Sequence, residues 1–281
     1  MASVLPFRTQ SMRDRVSPAE WEARVNLAAC YRLVARYGMT DLVYNHITAR
    51  VPDPEHHILI NPYAKLYEEN TATTLNKVDL DGNVVQKPEG LEYSVNAAGY
   101  VIHSAVHAAR PDVECVIHTH TRAGVAVACL AEGLLPLSQT AMRFHGHLAY
   151  HDYEGPAFNR GERERLVRDL GDKYAMILRN HGLLACGPSI PQAFNVIFWL
   201  ENACKIQLDA LACGRPLHHA PRSVVEGTAE ALAGMEITLD NESSTNPHLR
   251  RDAQQAGSGY GLLEWPALLR MLDRADASYR D

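Results

Sequence analysis

The chain has 281 residues, 46% hydrophobic and 21% charged, a balance that fits a globular fold and excludes disordered or fibrous character. Lys and Arg number 27 against 33 Asp and Glu, a formal net charge of −6 with neutral histidines; this argues against a nucleic-acid surface, which needs a basic patch for phosphate. The longest nearly apolar run, about Ala123 to Ala131, is far short of the roughly 20 residues a membrane helix needs, and no apolar stretch at the N-terminus suggests a secretory signal.

Residues 1–16 are basic and polar and read as a flexible arm. Ser17-Pro18-Ala19-Glu20 is a capping box with Pro at the first helical position. A helix is expected from there to Arg36, burying Trp21, Val25, Ala28, Tyr31 and Val34 and stopping at Gly38. Leu42–Val51 and His57–Ile60 read as strands, and Lys77–Leu80 with Asn83–Gln86 as a hairpin turning at Asp81-Gly82. Residues 95–110 look helical up to Pro111. Glu114–His120 is a strand, Arg122–Ala131 a helix closed by Gly133, and Gly146–Tyr153 a further strand. Asn159-x-x-Glu162 caps a charged helix to Leu170. The strand Tyr174–Leu178 breaks at Asn180-His181-Gly182 and resumes at Leu183–Cys186. Ser189-x-x-Gln192 then caps a long helix to Ala212, ended by Gly214. The main domain is therefore 17–214. Residues 215–281, with helical pieces near 228–235 and 265–274 around a polar stretch at 239–260, form an extension expected to pack on the body or on a neighbouring subunit.

None of the six cysteines forms a C-x-x-C pair, which leaves out zinc knuckles and thioredoxin-type motifs. Cys115, Cys129 and Cys186 lie in apolar segments and read as core residues. Free thiols without a secretory signal point to a reducing, cytoplasmic setting.

Fourteen histidines are the unusual feature. His118 and His120 are two apart on one strand, so both imidazoles project from one face. H-x-H alone is a weak signal, more often two hydrogen-bonded strand histidines than a metal site. His181, at the break in a second buried strand beside Gly182, is the natural third ligand, because glycine there allows a close or positive-φ backbone. Three His ligands leave coordination positions open, the mark of a catalytic site. Zinc is the first expectation for one divalent metal, with Fe, Mn or Co as alternatives. His103 and His107 share a helical face, and one is expected to support the site by hydrogen bonding. His145, His147 and His151 alternate on one strand. Neither G-x-G-x-x-G after a strand nor G-x-x-x-x-G-K-[ST] occurs, so a nucleotide-binding dehydrogenase is disfavoured.

Asn96-Ala97-Ala98-Gly99-Tyr100-Val101-Ile102-His103, Ala109-Arg110-Pro111-Asp112-Val113, Val116-Ile117-His118-Thr119-His120 and Leu178-Arg179-Asn180-His181-Gly182 together resemble the class II aldolase/adducin family from about Trp21 to Leu211. Leu80-Asp81-Gly82-Asn83-Val84, Ala149–Gly155 and Leu170-Gly171-Asp172-Lys173 are similar to its adducin-head branch. The resemblance implies an α/β fold, a three-layer α/β/α sandwich with a largely antiparallel central sheet, and a homotetramer with sites near subunit boundaries. It also places the family's metal ligands on His118, His120 and His181. The family's phosphate-binding Ser-Ser and acid/base Glu correspond to Ala97, Ala98 and Gly99, and an upstream Ser-Gly to Tyr63-Ala64. Ala, Ala and Gly offer no side-chain donors to a phosphate, and the missing glutamate removes a proton shuttle worth roughly 10² to 10⁴ in rate.

The expected function is a metal-dependent lyase (retro-aldol, decarboxylation or dehydration) acting on a small unphosphorylated carbonyl or carboxylate substrate. Tyr153, His145, His147 and Glu92 are candidates to move protons, and Asn45, Thr48 and Asn180 to bind substrate. One alternative is a non-heme Fe(II) oxygenase on the same three histidines. Another is a non-catalytic assembly module like the adducin head, although residues 215–281 lack a basic run for acidic partners.

Overall fold

A computed structural model of the chain describes residues 11–88, 95, 97–155, 161–234 and 260–281. Residues 1–10 of the expected arm lie outside these. Ser11 caps a short helix, α1 (Met12–Arg15), with Met12 buried, so residues 12–15 are helical where the sequence suggests a loose arm. α2 (Pro18–Arg36) starts as the sequence indicates, with Ser17 Oγ accepting from the Glu20 amide. Trp21 and Val25 are only half-buried; Arg24, Leu27, Ala28, Tyr31 and Val34 form the inner face. Gly38, at φ +67°, turns the chain out of the helix, and the Met39 amide donates to the Val34 carbonyl.

One eight-stranded sheet organises the described residues, in the order β4-β3-β2-β1-β5-β8-β7-β6. Its strands are β1 (Ile47–Arg50), β2 (Ile58–Ile60), β3 (Asn76–Val78), β4 (Val84–Gln86), β5 (Cys115–Thr119), β6 (Leu148–His151), β7 (Ala175–Leu178) and β8 (Gly182–Gly187). Every pairing is antiparallel except β6 with β7. The sheet is thus largely antiparallel. The first strand is shorter than the sequence suggests: residues 42–46 form a turn, with Leu42 and Asn45 at positive φ.

The remaining helices are α3 (Ala97–Ala109), α4 (Arg122–Ala128), α5 (Gln139–Met142), α6 (Glu162–Leu170), α7 (Ile190–Ala212), α8 (Arg222–Gly234) and α9 (Trp265–Ala275). Strand alternation sorts the core into two sides. Ile47, Cys115, Ile117, Ile177, Leu183 and Ala185 pack with residues of α2, α4 and α7. Val116, Met176, Leu178, Leu184 and Cys186 pack with residues of α3 and α6. The result is helix, sheet, helix. Cys115 and Cys186 are buried, but Cys129 sits at the C-cap of α4 and is exposed; the apolar run that suggested burial ends with the helix. Ser189 caps α7 as expected. Gly161 caps α6 without a side-chain bond, and Asn159 lies outside the described residues.

Residues 260–281 of the C-terminal extension pack on this same body. Trp265 Nε1 donates to Asn26 Oδ1 at 2.9 Å, and the Ala72 amide donates to the Tyr279 carbonyl at 2.9 Å. Arg32 pairs with Asp276 at 3.0 Å, and Tyr279 is fully buried. Among the described residues no helix is long and apolar enough to cross a membrane.

Arg24 ties α2 to the outer half of the sheet. Its fully buried guanidinium donates to Glu20, to the Ala72 and Leu75 carbonyls and to Gln86 Oε1. Glu20 also holds Lys77 at 3.0 Å. Burial pulls the Arg24 pKa down, and Glu20 opposes that pull. Removing one partner of such a pair strands a buried charge, costing about 3–5 kcal/mol. Arg24→Ala is therefore expected to lower unfolding stability by about 3 kcal/mol or more in urea titrations, and Arg24→Lys, which cannot reach four acceptors in a fork, to recover only a minor part.

Candidate metal centre

The site forms where β5, β7 and β8 end together. β5 pairs with β8 so that His118 lies opposite Leu184 and Thr119 opposite Leu183. β7 and β8 form a hairpin with Leu178 opposite Gly182, leaving Arg179, Asn180 and His181 as a three-residue loop. Such loops close with one residue in the left-handed region; here it is Asn180, at φ +55°, rather than Gly182. Gly182 is required for a different reason. A Cβ there would run into the Thr119 carbonyl oxygen, so glycine lets β8 come close to β5 beside the histidines. The loop is pinned from outside by the Asn180 amide, which donates to the Ala128 carbonyl, and by Arg179, which donates to the Leu130 carbonyl at 2.7 Å and stacks over Tyr150.

His118, His120 and His181 converge through their Nε2 atoms. His118 Nε2 and His181 Nε2 each lie 2.9 Å from His120 Nε2. The outer nitrogens of two rings are committed elsewhere. His118 Nδ1 is 2.9 Å from the Leu183 carbonyl, and His120 Nδ1 is 3.1 Å from Asp41 Oδ2. A carbonyl and a carboxylate only accept, so both Nδ1 atoms donate, and in the uncharged His118 ring this leaves the Nε2 lone pair facing the cluster. Burial pushes the His118 pKa well down, with His181 and His120 adding to the effect, and pushes His181 down to about 4. At neutral pH these two rings are uncharged, the state in which imidazole ligates a metal. All three ligand nitrogens lie within 4.8 Å of one another, and three protein ligands would leave coordination positions for a substrate or water. The residues fit a divalent metal. A second cluster, Asp53, Glu55 and His57, is explained without one, because Lys77 Nζ lies 2.9 Å from Asp53 Oδ2 and His57 Nδ1 lies 2.8 Å from the same oxygen.

The other sequence candidates divide. The Tyr153 ring is 6.2 Å from that of His181, and the side chain is half exposed. Asn45 is buried in the turn before β1, with both side-chain polar atoms lacking a partner. Asn180 is exposed in the loop that carries His181. Thr48 is not available to a substrate: fully buried, its hydroxyl lies 2.8 Å from both His103 Nδ1 and His107 Nε2. The two α3 histidines therefore form an internal bridge between α3 and β1. His145 and His147 precede β6 rather than lying on it, and both are exposed. Because β6 runs parallel to β7 with Leu148 opposite Ala175 and His151 opposite Leu178, they stand at the far end of the strands from His181. His151 is buried and donates to Asp169 at 2.8 Å. Glu92 lies outside the described residues. Ala64, where the resemblance places a glycine, has φ +68°, so the glycine-like backbone persists without the glycine. Asp41 was invisible in the sequence, since a strand was expected to begin at Leu42 and nothing local links residue 41 to residue 120.

Residues 25–208 match the family model for the Class II Aldolase and Adducin N-terminal domain. The chain belongs to this family. An aldolase II superfamily protein from Pseudomonas syringae superposes with a TM-score of 0.83 at 48% identity, over 96% of this chain and 99% of that one. L-fuculose 1-phosphate aldolase from Glaciozyma antarctica superposes at 0.74 with 25% identity, over 99% and 97%. Alpha-adducin of Rattus norvegicus is 41% identical over 254 residues, 89% of this chain but only 33% of that protein. The three-layer α/β sandwich is thus the family's fold, and the family holds both aldolases and adducins.

The buried histidines outside the metal cluster give a pH signature. Burial, helped by the Arg50 charge, lowers the His107 pKa to about 3. The unfolded chain takes up that proton below about pH 6.5 while the folded chain does not. Stability is therefore full above pH 6.5 and falls with pH down to about 3, by roughly 1.4 kcal/mol per pH unit for this group. Urea unfolding of the wild type and His107→Gln at pH 7, 6 and 5 is expected to show a shallower pH slope in the variant, by about one proton.

Proposed function

We propose that the chain is a metal-dependent lyase acting on a small unphosphorylated carbonyl or carboxylate substrate, with His118, His120 and His181 holding one divalent cation, zinc in the first place. The convergence of His118 Nε2 and His181 Nε2 on His120 Nε2, each at 2.9 Å, with the outer nitrogens of His118 and His120 bonded to a carbonyl and a carboxylate, carries this reading. A bound divalent cation would polarise a substrate carbonyl and favour C–C cleavage or proton loss beside it. The chain's own part is to orient the substrate and move protons. Asn45, with an unpartnered amide and carbonyl, is suited to hold a substrate oxygen. Tyr153, on the His181 side, is the described residue best placed to carry a proton in place of the glutamate absent at Gly99. The first turn of α3 begins Ala97-Ala98-Gly99 and supplies no side-chain donor for a phosphate.

The metal could also be iron, with the open positions used for oxygen chemistry. Alpha-adducin similarity favours a second reading, an assembly module; three retained histidines, two of them with bonded outer nitrogens, weigh against it, since assembly has no need of them. A homotetramer, a cytoplasmic setting and the absence of nucleic-acid partners complete the proposal.

Metal analysis of the purified protein is expected to find one divalent ion per chain, lost in His118→Ala and His181→Ala. Metal-dependent turnover is expected on unphosphorylated hydroxy- or keto-acids and not on sugar phosphates. A wild type that takes up no metal, or variants that keep it, would overturn the site. Bound iron with oxygen uptake would replace the lyase by the oxygenase, and stoichiometric metal without turnover would favour the assembly module.

A further inference from the structure

Asp41 stands apart from the residues that sequence motifs select. It lies 79 positions from His120, yet its Oδ2 accepts the His120 Nδ1 proton at 3.1 Å. The two other ligand rings have no such partner: His118 Nδ1 faces a neutral carbonyl, and no carboxylate is described at His181. His120 is also the central ring, within 2.9 Å of both other ligand nitrogens. A carboxylate on the outer nitrogen fixes the tautomer, sets the ring's orientation and raises the electron density of the nitrogen facing the metal.

The backbone around Asp41 is bent to deliver it. The Tyr44 amide donates to the Asp41 carbonyl at 2.9 Å, closing a turn that places Leu42 at φ +50° and is followed by Asn45 at φ +71°. Asparagine tolerates this region, but leucine does not, so Leu42 carries strain of the kind that persists where surrounding structure over-determines it. Leu42 gains no burial in return, being 69% exposed. The turn is set from one side by the Gly38 exit from α2 and from the other by Tyr31, whose hydroxyl accepts from the Ile47 amide at 3.0 Å and the Asn61 amide at 3.1 Å. The sequence between α2 and β1 thus makes a strained turn whose visible product is a carboxylate against one histidine.

We infer that Asp41 is a positioning residue for the metal centre: its carboxylate orients and polarises His120, and cation affinity depends on its charge. This rests on the proposed three-histidine site. The carboxylate stays on the outer nitrogen of the ring and is not itself a ligand in this arrangement.

The test titrates the metal-free full-length protein with Zn²⁺ against a chromophoric chelator, for wild type, Asp41→Ala, Asp41→Asn and Asp41→Glu, and records the visible spectrum of each with Co²⁺. Asp41→Ala is expected to weaken zinc binding about 10- to 100-fold. Asp41→Asn, which keeps an accepting oxygen but not the charge, should fall between, and Asp41→Glu should recover part of the affinity. The Co²⁺ bands should shift in Asp41→Ala and Asp41→Asn, which a merely structural role for the turn would not produce. Thermal melts of the metal-free variants should match wild type, because Asp41 is partly exposed at the surface. Asp41→Ala binding zinc as tightly as wild type, with an unchanged Co²⁺ spectrum, would overturn the inference alone. A wild type that binds no cation would overturn it together with the site on which it rests.

Discussion

Two imidazole lone pairs held 2.9 Å apart repel unless a proton or a metal cation lies between them. The folded chain imposes this arrangement: the β5–β8 register fixes His118 against the Leu183 carbonyl, the β7–β8 hairpin loop delivers His181, and the Asp41 turn holds the third ring by its outer nitrogen. Burial holds His118 and His181 in their uncharged forms at neutral pH, the form in which imidazole ligates a metal. A divalent cation satisfies all three at once. Much of the local sequence serves this one constraint, from Gly182, which lets two strands close up, to Asn180, which takes the left-handed corner.

The centre is set in a rigid frame. Both faces of the sheet are covered, by α2, α4 and α7 on one side and α3 and α6 on the other. Ligands placed at strand ends of such a sheet are more precise than ligands on free loops. The frame also explains what the site lacks. α3 begins Ala97-Ala98-Gly99, residue types that bring no side-chain hydrogen-bond donor to a phosphate. Lower on the same helix, His103 and His107 are consumed by Thr48 and serve the α3–β1 contact.

Much of this was legible in the sequence for local reasons. Ser17 and Ser189 announced their helices because caps act over three residues. The H-x-H pair could be assigned to one face because strand alternation is strict, and His181 followed from a break in a buried strand. What failed to show depended on long-range geometry. Asp41 needed a turn that looked like the start of a strand. Thr48 looked like a ligand-binding hydroxyl until α3 was seen to cover it. His145 and His147 seemed to alternate on a strand that begins only at Leu148, and the parallel pairing of β6 with β7 carries them away from the site.

X-ray absorption at the zinc edge of the zinc-loaded wild-type protein probes the central claim most directly. Three imidazole nitrogens at about 2.0–2.1 Å, with the outer-ring scattering that marks histidine and one or more further light-atom ligands, are predicted. Fewer than three imidazoles, or sulfur at about 2.3 Å from one of the cysteines, would contradict a centre built on His118, His120 and His181.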